Sequence, residues 1–151
     1  MVCAVGQRPA EPSYTCAVLI EHPETVAIVA HDDEKIVLVR QTRPGAAGKT
    51  LELPAGCLEE GETPEAAAAR ELKEECGLAA GLWRKLGAFW AAPEYSTEYV
   101  HVFEATRLLE VGSPGLDEDE DVEVERRPLR GVMAEVSDAG SLAALALWVG
   151  G

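Results

Sequence analysis

The sequence predicts an α/β domain. Three observations carry the prediction: short bursts of β-branched residues, one strongly signalled helix midway, and a second helical stretch that closes the chain. A length of 151 residues suits one domain, residues 1–151, with a single sizeable core. At 47% hydrophobic and 26% charged, the composition is that of an ordinary soluble globular protein.

Taken in order, "CAVLIEH" (16–22), "TVAIVAH" (25–31) and "KIVLVRQ" (35–41) read as strands. They are split by His22-Pro23 and by the polar turn Asp32-Asp33-Glu34. "RPGAAGK" (43–49) is a Gly-rich loop, and "TLELPAG" (50–56) a short extended segment broken by Pro54. Thr63 followed by Pro64 opens a helix: a side-chain cap, then a proline whose missing N–H does no harm there. Gly77 supplies the left-handed stop. Beyond it, "LWRKLGAFWAA" (82–92) and "EYVHVFEATRL" (98–108) read as strands around a loop at Pro93. "VGSPGLDEDED" (111–121) is an acidic loop, "VEVERRPL" (122–129) a further strand, and "DAGSLAALALWV" (138–149) the closing helix.

Several function classes are disfavoured. No apolar run is long enough to span a bilayer, and the first residues lack the basic-then-apolar pattern of an export signal. Cys3, Cys16, Cys57 and Cys76 are scattered without a CxxC pair, so structural zinc and a disulfide framework are not expected and a cytoplasmic setting is. A net charge of −14 argues against binding a nucleic-acid backbone. It still permits small phosphorylated substrates, provided divalent cations bridge the two negative partners.

The helix carries Glu71, Glu74 and Glu75 close together, at a cost from like-charge repulsion. At about 100° per residue the three fall on one sector, beside an apolar stripe read as Ala68, Ala69, Leu72 and Cys76. Arg70 is the nearest cation and is placed to fix a carboxylate rotamer. Carboxylates at i, i+3 and i+4 can hold Mg²⁺ or Mn²⁺ against a diphosphate, which relieves the repulsion.

Gly56, Glu62, Arg70-Glu71-Leu72, Glu74-Glu75, Gly77 and Leu78 match the Nudix box G-x5-E-x7-R-E-U-x-E-E-x-G-U over residues 56–78. The chain thus resembles the Nudix hydrolases. The resemblance implies an α/β/α sandwich with a mixed β-sheet between helices. It also implies that Glu71 and Glu75 are the principal metal ligands, Glu74 a third, and the Ala55 carbonyl part of the metal shell. Glu62 is read as a peripheral ligand or as an orienter of Arg70.

Flanking residues narrow the substrate. "LELPAG" and "VRQTRP" resemble stretches of the ADP-ribose pyrophosphatase and nucleoside-diphosphate-sugar hydrolase group. That likeness implies that Arg43 contacts substrate with Glu52 beside it, that Pro93 stands at the subgroup's marker proline, and that Glu98 takes the position of a site glutamate. The late acidic loop would supply a catalytic base, Glu120 first and Glu118 second, with Glu74 as the fallback. Thr42 and Glu94 depart from the group's aromatic and glycine. The N-terminal region is also short beside members that exchange a small sheet across a dimer.

The implied reaction is Mg²⁺-dependent hydrolysis of ADP-ribose or a related nucleoside diphosphate sugar, by a homodimer as the default assembly. Alternatives keep the box and change the substrate to dinucleoside polyphosphates, GDP-sugars or damaged nucleoside triphosphates. A different class of alternative is a sensor that binds a nucleotide without turnover.

Overall fold

A computed structural model describes residues 5–6, 18–115 and 121–151 of the chain. In chain order the strands are β1 (Val5–Gly6), β2 (Leu19–Ile20), β3 (Thr25–Ala30), β4 (Lys35–Thr42), β5 (Lys49–Glu52) and β6 (Ala55–Cys57). Helix α1 (Pro64–Cys76) follows, then β7 (Leu78–Trp90), β8 (Tyr99–Glu110), β9 (Val122–Pro128) and helix α2 (Ala139–Gly150), with a 3₁₀ turn at Val132–Ala134.

The strands form a four-stranded sheet in the order β6-β3-β8-β7, a three-stranded sheet in the order β5-β4-β9, and the short ribbon β1-β2. The larger sheet is mixed, because β3 runs parallel to β8 and antiparallel to β6. All six residues of β3 are buried, as a strand covered on both faces must be. Val26, Ile28 and Ala30 face the cluster that includes Ala67, Ala68 and Leu72 of α1. Ala27 and Val29 face the opposite cluster, with Ala144 and Leu145 of α2. Strand β4 alternates in the same way, Val37 and Val39 toward α1, Ile36 and Leu38 toward α2. The result is the expected α/β/α sandwich.

Local chemistry sets the ends of α1. The Thr63 hydroxyl accepts from the Ala66 N–H at 3.2 Å. Gly77 ends the helix at φ 66°, and a Cβ placed there would come within 2.3 Å of the Gly112 carbonyl oxygen.

Three details depart from expectation. Of the first predicted strand, only Leu19–Ile20 is extended among the described residues. Strand β7 starts at Leu78, four residues earlier than patterning suggested, because the Gly77 turn leads straight into the sheet. The buried stripe of α1 holds Ala67, while Ala69 is exposed. At about 100° per residue, Ala67 on one side and Ala68 with Leu72 on the other bracket Glu71 and Glu75. The acidic residues therefore sit within the packed face rather than along its border. No helix among the described residues is long and apolar enough to cross a membrane.

Candidate functional site

Pro54 breaks the extended segment 50–56 at the point where the chain changes sheets: β5 pairs with β4, whereas β6 pairs with β3. On β6 the backbone groups alternate between its two edges. The Pro54 carbonyl accepts from the Ile28 N–H and the Leu58 N–H donates to Glu24, so the even positions face β3. Ala55 and Cys57 consequently present their amides and carbonyls to the outer edge, beneath α1.

Side chains of α1 read that edge. The Ala55 N–H donates to Glu75 Oε2 at 3.0 Å, and Arg70 donates to the Cys57 carbonyl at 2.9 Å. Gly56 lies between them and is close to Glu71: an added Cβ would be 2.0 Å from Glu71 Oε1. Only glycine leaves room for that carboxylate beside the strand.

Arg70 binds the acidic residues together. It donates to Glu62 through Nε at 3.0 Å and Nη2 at 2.8 Å, to Glu71 at 2.7 Å and to Glu74 at 3.0 Å. Glu62, foremost, and then Glu71 and Glu74 raise the Arg70 pKa above its ordinary value. In return Arg70 holds the Glu62 carboxyl below the usual carboxylate range.

A second pair lies across the cleft. Arg43, just past the end of β4, makes a forked contact with Glu52, its Nη2 2.7 Å and its Nε 3.1 Å from the carboxylate oxygens. Glu52 is only 5% exposed. The Thr50 hydroxyl and the Gln41 amide also donate to it, at 2.5 and 3.2 Å. Burial alone raises the Glu52 pKa, but Arg43, Thr50 and Gln41 together carry it below the ordinary value. A buried, ionised carboxylate thus orients a half-exposed arginine.

These groups meet in one cleft of about 560 Å³, whose walls include Arg43, Ala55, Gly56, Arg70, Glu71 and Glu75. Glu74 does not line it; Arg70 holds Glu74 at the outer margin, where its side chain is 48% exposed. A smaller cavity of about 270 Å³ shares Arg43, Ala55, Gly56 and Cys57 with the cleft and contains Glu98. Pro93 is exposed in a turn closed by the Ala92 carbonyl and lines neither space. Glu118 and Glu120 lie outside the described residues.

The oxygens of Glu71, Glu75 and the Ala55 carbonyl form a hard donor set, which suits Mg²⁺ or Mn²⁺. Among the described residues, no three His, Cys, Asp or Glu side chains stand ready-grouped around a cation position. Glu71 is instead engaged by Arg70, and Glu75 by the Ala55 amide. The glycine cradle at Gly56 nevertheless keeps one carboxylate against the strand edge that presents the Ala55 carbonyl, so the residues fit such an ion.

A NUDIX domain model matches residues 21–145. The chain belongs to the NUDIX family. Over 108 residues it is 45% identical to an ADP-ribose pyrophosphatase of Bacillus subtilis (strain 168), an alignment that covers 70% of this chain and 58% of that protein. Over 144 residues it is 42% identical to an ADP-ribose pyrophosphatase of Mycobacterium tuberculosis (strain ATCC 25618 / H37Rv), with 87% of this chain and 70% of that protein covered. The NUDIX chain therefore spans little more than half the length of the Bacillus relative. A crystal structure of an ADP compounds hydrolase superposes with a TM-score of 0.78 at 25% identity, covering 97% of this chain and 90% of that one.

Sequence reasoning missed part of this NUDIX site. Gln41 and Thr50 hold Glu52, and their only advance signal was alternation along β4 and β5 beside an acidic residue. Asp138 and Ser141 line the smaller cavity from α2, although in the sequence they stand simply at the start of a helix. Among the aromatics, Trp83 lies edge-on to Phe103 at 6.5 Å, and Trp90, itself 56% exposed, stacks obliquely on Tyr99 at 4.7 Å.

Proposed function

We propose that this NUDIX domain hydrolyses the diphosphate bond of ADP-ribose or a related nucleoside diphosphate sugar, giving a nucleoside monophosphate and a sugar phosphate. One observation carries the reading: Arg43, braced by buried Glu52, faces Glu71 and Glu75 across a single cleft. That arrangement opposes a cation to an acidic, metal-binding wall, as a diphosphate bridged by divalent ions requires. The ADP-ribose pyrophosphatase relatives and the ADP compounds hydrolase fold support the substrate class.

NUDIX hydrolases generally need divalent cations. Here Glu71, Glu75 and the Ala55 carbonyl would hold the ion, Mg²⁺ with Mn²⁺ as the alternative, and Glu74 would join from the margin. When bound, the ion neutralises diphosphate charge and lowers the pKa of water. Arg43 binds the diphosphate end of the substrate, and Glu52 keeps its guanidinium aimed. Arg70 holds the rotamers of Glu62, Glu71 and Glu74. Glu120 accepts the proton from the attacking water, with Glu118 and then Glu74 as substitutes. Glu98 serves the adjoining cavity, and Pro93 stiffens the turn that leads to it.

The same reading takes residues 1–151 as one domain that works as a cytoplasmic homodimer without nucleic-acid or membrane partners. The net charge of −14 supports the absence of a nucleic-acid partner. Light scattering tests the dimer.

The deciding experiment offers ADP-ribose, GDP-mannose, diadenosine polyphosphates and 8-oxo-dGTP with Mg²⁺ and separates the products by chromatography. AMP and ribose 5-phosphate from ADP-ribose are expected, with a loss of at least about a hundredfold in Glu75→Gln. Preference for another compound would overturn the assignments of Arg43 and Glu98. Metal-dependent binding without turnover would replace catalysis by nucleotide sensing.

A further inference from the structure

The mouth of helix α2 carries an inference about how Arg43 is held, and it rests on the hydrolase reading above. The stretch Ser137-Asp138-Ala139-Gly140-Ser141 offers three side chains able to cap a helix, and one helix start uses one of them. Asp138 takes that role, its Oδ2 accepting from the Ser141 N–H at 2.8 Å. The two serine hydroxyls are thereby left for other partners.

Those partners lie on β5 and just past its end. The order β5-β4-β9 places β5 at an edge of its sheet, so its outward amides have no strand of that sheet beside them. Leu51 and Leu53 carry such amides and both residues are buried, where an N–H without an acceptor is costly. The Ser137 Oγ accepts from the Leu51 N–H at 2.9 Å, and the Ser141 Oγ accepts from the Leu53 N–H at 2.8 Å. The Ser137 N–H returns a bond to the Leu51 carbonyl at 3.0 Å. Alternate amides on one edge of a strand stand about 6.6 Å apart. Two serines four residues apart at the start of α2 span that distance and stand in for a missing strand.

Glu52 sits between the two fastened amides. Its own backbone belongs to the ladder with β4, opposite Val39. The segment that bears Glu52 is therefore held from both edges, by β4 on one side and by α2 on the other. Arg43 depends on this, because Glu52 supplies every ion pair that Arg43 makes among the described residues. A forked guanidinium–carboxylate contact tolerates little displacement, so a shift of β5 would turn Arg43 away from the cleft. We propose that Ser137 and Ser141 are positioning residues for substrate binding: from the mouth of α2 they fix the edge of β5, so that Glu52 aims Arg43 at the diphosphate. Helix α2 thus acts on the cleft from behind, through backbone amides rather than through contact with the diphosphate.

The test uses Ser137→Ala, Ser141→Ala and Ser137→Thr, the last of which keeps a hydroxyl. Thermal melting shows that each is folded at the assay temperature, and Glu104→Gln, remote from the cleft, controls for lost stability. With ADP-ribose and Mg²⁺, KM should rise about fivefold to tenfold in the alanine variants, with kcat within about twofold of wild type. Ser137→Thr should restore KM, and Glu104→Gln should leave it unchanged. The serine effect should disappear in an Arg43→Lys background, which keeps a cation beside Glu52 but removes the fork, because both changes act through one contact. A readout without substrate is the exchange of the Arg43 Nε–H with water, followed by proton–nitrogen magnetic resonance. It should be about tenfold faster in Ser141→Ala and at the wild-type rate in Glu104→Gln. Unchanged KM and unchanged exchange would overturn the proposal. So would KM effects that add to those of Arg43→Lys, or that Glu104→Gln reproduces. A wild-type chain that forms no products would overturn the hydrolase reading alone: faster Arg43 exchange in the serine variants would still establish the positioning role, and unchanged exchange would refute it.

Discussion

Replacing Gly56 by alanine should separate stability from activity. The added Cβ would lie 2.0 Å from Glu71 Oε1, 2.1 Å from its Cδ and 2.5 Å from Oε2. Ordinary contact begins near 3.4 Å, so the carboxylate must retreat by roughly 1.4 Å. The obstacle is the end of a flexible side chain, and Gly56 has no left-handed φ that alanine would strain. Losing part of the Arg70–Glu71 contact costs about 1 kcal/mol, while the stiffer unfolded chain returns about 0.4–1 kcal/mol. The net change should stay within about 1 kcal/mol, a Tm shift of no more than about 4 °C for a domain of this size. Activity is far more sensitive. Displacement of a reacting constellation by about 1 Å can cost on the order of a hundredfold. The assay is kcat/KM for ADP-ribose with Mg²⁺ beside a thermal melt of the same sample. Activity within threefold of wild type would refute the argument that Glu71 works from its place beside Gly56. A collapse in Tm would instead make Gly56 a packing residue.

Gly77→Ala should behave in the opposite way, because its φ is 66° and the new Cβ would meet a backbone carbonyl at 2.3 Å. Backbone cannot step aside as a side chain can, and a loss of at least about 2 kcal/mol is expected in urea titrations. Glu104 supplies a pH test remote from the cleft. Arg84 at 2.8 Å, foremost, with His31 at 3.0 Å and the Trp148 indole at 2.7 Å, holds its carboxyl down at about 2. A depressed folded pKa adds stability above the unfolded value and loses it as pH falls through the folded one. Glu104→Gln should therefore cost about 1–2 kcal/mol at pH 7. The gap from wild type should narrow steadily between pH 4.5 and pH 2, as denaturation at a series of pH values would show. A gap independent of pH would mean that the cluster is held by packing rather than charge.

Much of the fold could be read from the chain, for reasons that are local. Thr63, Pro64 and Gly77 end α1 through hydrogen bonds and dihedrals within a few residues of themselves. Continuous apolar runs such as 26–30 signal a strand buried on both faces without reference to its neighbours. The box residues advertise a carboxylate helix because helical spacing alone places Glu71 and Glu75 on one face.

Other features depend on contacts across long stretches of sequence. Pairing of Arg43 with Glu52 requires the antiparallel register of β4 and β5, and the Ala55 edge exists because Pro54 passes the chain between sheets. Periodicity assigned Ala69 to the packed face, but the sheet beneath α1 selects Ala67 and so turns Glu71 inward and leaves Glu74 at the margin. Asp138 shows the same division. From sequence it is an acidic residue at the mouth of a helix. Its place beside Arg43 and Glu98 exists only because β3, the start of β8 and α2 close a cavity there. Short-range geometry is encoded by neighbouring residues, and so the sequence by itself determined the helix, its caps and the class of chemistry. The partner of each charge is chosen by strand register and by which faces pack, and those were decided by the tertiary structure alone.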